Sequence, residues 1–247
     1  MTSRRTYEEG CPAAHAMDLI GERWALLIVR ELMYRPKRFN ELRSALPRMS
    51  PNVLSQRLRD LTERRVIEQR QIHPNRELHS YELTPWGRQL ELLLLNLARW
   101  GAQSADIKWD GSTTPDGLIM NMRAFFDAEA AATFSVNMIL WLDTHEYSIE
   151  INNATIQVSA QPMLRPEVLV RTTTETMVAM LCRTISPQQA LLANRALVAG
   201  DIDKLQQFVN VFHLPVRQPE TCNSNQPPAT PGTAADFQPV DAGIVAD

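Results

Sequence analysis

Between residues 36 and 65 the apolar positions fall into two short runs at helical spacing. Phe39, Leu42 and Leu46 form the first stripe, and Val53, Leu54, Leu58 and Leu61 the second. Pro47-Arg48-Met49 supplies the turn between them. Ser50-Pro51 can open the second helix, because a serine oxygen caps free amides and proline suits the first helical position. A helix over Ser50–Arg64 is predicted. Its polar face carries Asn52, Ser55, Gln56 and Arg59, side-chain types that read base edges. Val66, Glu68, Arg70 and Ile72 then begin a strand, His73-Pro74-Asn75-Arg76 make a turn, and Tyr81 and Leu83 lie on the returning strand. Thr84-Pro85 caps another helix. Two helices, a tight turn, a hairpin and a return to helix is the order of a winged helix-turn-helix.

A different period governs the later chain. Phe134, Val136, Met138, Leu140 and Leu142 alternate with other residues, as do Tyr147, Ile149 and Ile151, and then Thr155, Gln157 and Ser159. Thr144-His145 and Asn152-Asn153 are short enough for hairpin connections. A fourth strand is predicted over Val168–Arg171, followed by helices over Glu175–Arg183, Pro187–Val198 and Asp203–Phe212. An antiparallel sheet followed by helices makes the whole chain α+β. Residues 1–108 are expected to form the first domain and 115–215 the second, joined near Trp109–Thr114. Val216–Asp247, rich in Pro, Gln, Ala and Thr and containing Cys222, is expected to be a disordered tail.

Charge strengthens the first reading. Residues 35–70 hold ten Lys or Arg and four acids, so the segment is +6; the chain as a whole is −3. Residues 1–108 carry +5 and the remainder −8, which sets a basic head against an acidic body. Phosphate contacts dominate non-specific DNA affinity, so a basic strip at the helix-turn-helix is the footprint expected. Arg38, Arg48, Arg57 and Arg76 are assigned to phosphates, with Arg76 on the wing. Ser50, Asn52, Ser55, Gln56 and Arg59 belong to the reading helix.

The blocks CPAAHAMDLIGERWALLIVREL, RFNELRSALPRMSPNVLSQRLRDL and YELTPWGRQL resemble the HxlR-type family of bacterial winged-helix regulators over about Cys11–Gly101. That resemblance implies a homodimeric binder of double-stranded DNA, with the Ser50–Arg64 helix for recognition and the Ile72–Ser80 hairpin as wing. It also implies pairing through Ala13–Ile20 and the helix after Pro85. The run LELLLLNLARW supports pairing independently. Leu90, Leu93, Leu94, Leu97 and Trp100 share one face, and Leu92 and Leu95 widen it beyond one small domain's need. Packing against the second half of the same chain is the other use for that face.

The blocks PEVLVRTTTETMVAMLCR and LLANRALVAGDIDKLQQFVNVF, with the preceding meander, resemble the sterol-carrier-protein-like domain over about Pro115–Pro215. That likeness implies an apolar tunnel able to hold a small apolar effector. Phe125, Phe126, Met138, Leu140, Met177, Met180, Leu181 and Phe208 are the candidate lining, although any apolar residue at such spacing is more often simply core.

Cys11 stands at the mouth of the first helix, where the positive helix end activates a thiol. A redox or electrophile switch and an inert buried thiol are the two readings open. Cys11 and His15, at i and i+4, are two ligands without a third, so no metal or other cofactor is expected. His73 and His79 flank the wing tip. The three cysteines are odd in number and form no Cys-x-x-Cys pair. The N-terminus lacks the apolar core of a signal peptide and no run approaches a membrane span, so a reduced cytoplasm is expected. No phosphate loop, His-Glu-x-x-His or Gly-x-Ser-x-Gly occurs, and the protein is expected not to be an enzyme. The reading is a DNA-binding transcription regulator controlled by an apolar effector or by cysteine modification. The alternative is a lipid-like ligand carrier whose helix-turn-helix serves as an interaction module.

Overall fold

A computed structural model describes residues 6–73, 76–107 and 112–214. The Pro74–Asn75 turn, much of the expected joint, and the tail with Cys222 lie outside them, as do the side chains of His73 and Arg76.

The head begins with α1 (Pro12–Ile20), α2 (Ala25–Glu31), the two-residue β1 (Lys37–Arg38), α3 (Phe39–Ala45) and α4 (Pro51–Glu63). It continues through β2 (Ile67–His73), β3 (Arg76–Leu83), α5 (Pro85–Arg88) and α6 (Leu90–Gly101). Ser50 Oγ accepts from the Val53 amide at 3.4 Å and Thr84 Oγ1 from the Gly87 amide at 3.0 Å, so both Ser/Thr-Pro starts work as predicted. At its other end α4 closes with Arg65 left-handed (φ 58°). The Val66 amide returns to the Leu61 carbonyl at 3.0 Å and the Arg65 amide to Thr62 at 2.9 Å. Gly87 is required where it stands: a Cβ there would sit 2.0 Å from the Val66 carbonyl oxygen.

β2 and β3 form the antiparallel hairpin, with Gln69 opposite Tyr81, and β1 adds to the free side of β3 with Lys37 opposite Tyr81. Leu42, Leu46, Met49, Leu54, Leu58 and Leu61 close over Ile28, Val29, Leu32 and Val66 in one core. Val53 is a correction to the expected stripe. It is exposed, because Leu54, Leu58 and Leu61 alone span the buried side of α4.

The second half comprises α7 (Pro115–Ala124), β4 (Val136–Leu142), β5 (His145–Asn152), β6 (Thr155–Ser159), β7 (Val168–Thr172), α8 (Thr174–Leu181), α9 (Pro187–Leu192), β8 (Ala196–Gly200) and α10 (Ile202–Asn210). The five strands lie in the order β6-β5-β4-β7-β8. The sheet is mixed where an antiparallel one was expected. β7 runs parallel to β4, with Met138 opposite Val168, because the chain returns across the sheet before β7 begins. The β5–β6 turn is Asn153-Ala154, both at positive φ (49° and 57°), the backbone that suits strand twist; it falls one residue beyond the expected Asn152-Asn153.

β8 is the other departure. The expected helix to Val198 stops at Leu192, where Asn194 turns left-handed (φ 53°) and the Arg195 amide caps the Ala190 carbonyl at 2.8 Å. The released Ala196–Gly200 pairs with β7, and Gly200 (φ 106°) packs against Glu167, whose carbonyl oxygen would lie 2.4 Å from any Cβ. The inner sheet face and α7, α8 and α10 enclose the second core.

Candidate nucleic-acid interface

α4 divides cleanly into two sides. Leu54, Leu58 and Leu61 are buried at about 1% exposure, while Asn52, Gln56 and Arg59 are exposed and Ser55 is half-buried between them. Positions 52, 55, 56 and 59 fall at i, i+3, i+4 and i+7, one face of a helix. Three side chains of that turn are chained together. Arg59 donates to Gln56 Oε1 at 2.7 Å, and Gln56 Nε2 donates to Asp60 Oδ1 at 2.9 Å. Both heteroatoms of the Gln56 amide thus have a partner on the helix, and each keeps one lone pair or hydrogen for a base edge.

Ser50 and Arg48 border an open trough together with Asn40, Arg43 and Ser44 of α3. Arg43 and Arg48 are exposed, and neither pairs with a carboxylate among the described residues. Arg43, Asn40 and Ser44 were missed by sequence reasoning. Their signal was available: they stand at i, i+3 and i+4 on the face of α3 opposite Leu42.

Arg38 opens α3, where Glu41 Oε2 accepts from its backbone amide at 2.6 Å and pairs with its Nε at 3.2 Å. The exposed guanidinium therefore carries a carboxylate beside it. Arg57 differs from its assignment to phosphate. It is 19% exposed, donates to Asp60 Oδ2 at 3.0 Å and meets Glu22 Oε2 at 3.4 Å, which ties the α1–α2 connection to α4. Arg76 lies on β3, next to the tip, with its side chain outside the described ones.

A family model described as the HxlR-like helix-turn-helix matches residues 19–108. The HTH-type transcriptional regulator YybR of Bacillus subtilis is 31% identical over 100 residues, which is 40% of this chain and 80% of that protein. The chain belongs to the HxlR-like helix-turn-helix family. YdeP of the same organism, another HTH-type transcriptional regulator, is 36% identical over 101 residues, covering 40% of this chain and 77% of its own. Among solved structures, the redox regulator HypR in its oxidised form aligns at a TM-score of 0.37 with 30% identity, over 39% of this chain and 100% of that one. A second family model, the SCP-2 sterol transfer family, matches residues 128–213.

Two further surfaces of this HxlR-like chain concern the sequence assignments. α6 buries Leu94 in the core of the head, buries Leu95 as well, and leaves Leu92 (71%), Leu93, Leu97 and Trp100 (74%) exposed. α1 buries only Ile20 and exposes Met17. Cys11 stands at the N-cap position of α1, half-exposed, and the nearby backbone amides of Ala14 and Ala13 hold its thiol below the ordinary value. Burial pushes Cys182 the other way.

In the SCP-2-like half, Met138, Leu140, Met177, Met180 and Phe208 are fully buried and Leu181 nearly so. They pack on one another between sheet and helices as core. Phe125 and Phe126 are half-buried at the edge of that layer, with the Phe126 ring 6.0 Å from Phe212. Among the described residues no helix is long and apolar enough to cross a membrane.

Proposed function

We propose that the protein is a homodimeric transcription regulator that binds double-stranded DNA through α4 and is controlled through its C-terminal half or through Cys11. The observation that carries the DNA reading is the polar row Asn52, Ser55, Gln56 and Arg59, presented by a helix whose opposite side is wholly buried. Arg43 and Arg48 flank that row, and no carboxylate among the described residues pairs with either, as suits a phosphate grip. Arg57 is left out of the grip, because Asp60 and Glu22 already hold it. Arg38, which shares its charge with Glu41, and Arg76 on the wing strand are the further phosphate contacts proposed.

Names of relatives add the regulatory role, since YybR and YdeP are each named as transcriptional regulators. Dimerisation is supported by the apolar residues that α6 and α1 leave uncovered. The apolar effector is supported by the SCP-2 sterol transfer match and by a core layer rich in methionine, whose flexible side chains can repack around a guest. Phe125 and Phe126, at the edge of the layer, make the natural entrance. The assigned domains are 1–108 for DNA and pairing and 115–215 for the effector.

Binding to a duplex selected by the full-length protein from a random-sequence pool tests this reading. Gln56→Ala is expected to cost about 1–3 kcal/mol on the selected duplex and to relax its sequence preference. Arg48→Ala is expected to weaken all duplexes alike and to reduce the slope of affinity against salt by about one. Wild-type behaviour in both variants overturns the assignment of α4 as reader.

A further inference from the structure

The head and the C-terminal half meet at a buried cluster of charges. Lys37, at the start of β1, is 4% exposed; Glu31 at the end of α2 and Asp116 in the first turn of α7 are 0% and 1% exposed. Lys37 Nζ lies 2.7 Å from Glu31 Oε2 and 2.5 Å from Asp116 Oδ2, so one ammonium is shared by a carboxylate from each half. Glu31 Oε1 also accepts from Arg30 at 2.8 Å and from Thr114 Oγ1, which caps α7, at 2.7 Å. The cluster is asymmetric. The Glu31–Lys37 pair belongs wholly to the head, whereas Asp116 is brought to Lys37 only when α7 is docked.

Each end of this link reaches something of consequence. On the head side, the residue after Lys37 opens α3 through the Arg38 amide and Glu41, and Lys37 itself pairs with Tyr81 of the wing strand β3. A shift of Lys37 therefore moves the α3 start and the wing base together. On the other side, Asp116 Oδ1 accepts from the Tyr147 hydroxyl at 2.5 Å. Tyr147 stands directly opposite Leu140 across β5 and β4, and such pairs share a sheet face. It thus belongs to the same layer as the candidate effector lining. Its ring is further fixed by Tyr34, edge-on at 5.9 Å, and by the Arg35 guanidinium, 4.7 Å above it. Burial and the nearby Asp116 carboxylate hold the phenol protonated, so it remains a donor to that carboxylate.

We propose that Lys37 and Asp116, with Tyr147 behind them, are positioning residues that let the C-terminal half set the placement of α3, and through it α4 and the wing. Both ions are buried inside the protein. A buried ion whose partner is withdrawn must find another or leave the interior, so the link responds sharply rather than gradually to movement of α7. An effector that repacks the layer around Leu140 would act on the Tyr147 ring, its hydroxyl bond and then the ammonium at the foot of α3. The consequence for DNA rests on the function proposed above; the transmission itself does not.

Hydrogen exchange on the DNA-free full-length protein separates the two. Asp116→Asn is the principal variant, and Tyr147→Phe, which keeps the ring and removes the hydroxyl, is the milder one should the first fold poorly. Exchange at least fivefold faster is expected in peptides from α7 and also from Lys37–Ala45, with β5–β6 amides as in wild type. Faster exchange confined to α7 overturns the proposal, because loosening would then stop at the junction. So does faster exchange everywhere, the mark of a purely structural role, and so does no change in either variant. With transmission seen, affinity for the selected duplex should fall about fivefold or more in the same variants. Transmission without any DNA binding would leave the link standing and remove the proposed function instead.

Discussion

Arg57 and Arg59 stand two residues apart on one helix and have different roles. Arg57 points toward the protein and is claimed by Asp60 and Glu22; Arg59 is exposed and donates to Gln56. Sequence showed both as basic residues in a basic strip and had no way to see the carboxylate of Glu22, thirty-five residues earlier. The cysteines separate for a comparable reason. Cys11 faces the open amides of α1, which favour the thiolate, and Cys182 is half-buried at the end of α8, which disfavours it. Iodoacetamide at pH 7 is therefore expected to alkylate Cys11 several-fold faster than Cys182 in the native protein, since the thiolate is the nucleophile. Peptide mapping against time measures both at once. Labelling of Cys11 that needs denaturant would end its candidacy as a switch.

At the scale of elements, the α2–β1 corner carries a testable pH dependence. Burial pushes the Glu31 carboxyl up, but Lys37 and Arg30, with the Thr114 hydroxyl, outweigh it and hold the group below the usual carboxylate range. A carboxyl whose folded value is depressed contributes stability that is fully present above its unfolded value, about 4.3, and is lost as pH falls through the folded value. Glu31→Gln is expected to cost about 3–5 kcal/mol at pH 7, because it leaves Lys37 one carboxylate short in the interior. The gap between wild type and variant in urea unfolding should narrow from pH 5 toward pH 3. A gap that stays constant with pH would show that the charge on Glu31 is not what stabilises the corner. The same scale shows what was legible. α4, the wing strands and β4–β6 follow from apolar spacing and from Ser/Thr-Pro starts, since local signals fix them. β8 was hidden, because Ala196-Leu197-Val198 suits helix or strand and the decision lies with the Asn194 turn and the vacant edge of β7. The parallel placement of β7 depends on where a loop returns the chain, which no period records. The Lys37 cluster was invisible for the same reason: its members are 6, 79 and 31 residues apart along the chain.

For the whole molecule the open question is what covers α6. Its inner side is occupied by the head and by α7, with Arg99 donating to the Ala124 carbonyl at 2.7 Å and Arg123 paired with Glu91. So the second half of the chain does take part of the wide apolar helix, one of the two uses its sequence left open. It does not take all of it. Leu92 and Trp100, 71% and 74% exposed, lie about two turns apart along the helix, and Leu93 and Leu97 are exposed as well. Uncovered side chains of this size in a row favour association with a second copy, and a two-fold pair would set two α4 helices for successive major grooves. Leu92→Glu with Trp100→Glu places like charges on the surface proposed for pairing, so the proposed dimer should fall to monomer in light scattering at micromolar concentration while each chain keeps its fold. DNA affinity should fall by tenfold or more, because a monomer loses the effective concentration that its partner's half-site contact provides. The two readouts must move together. A variant that remains dimeric would put the interface elsewhere on the molecule. A monomeric variant with undiminished affinity would mean that one α4 suffices, and the palindromic operator expected of a two-fold reader would then have no basis.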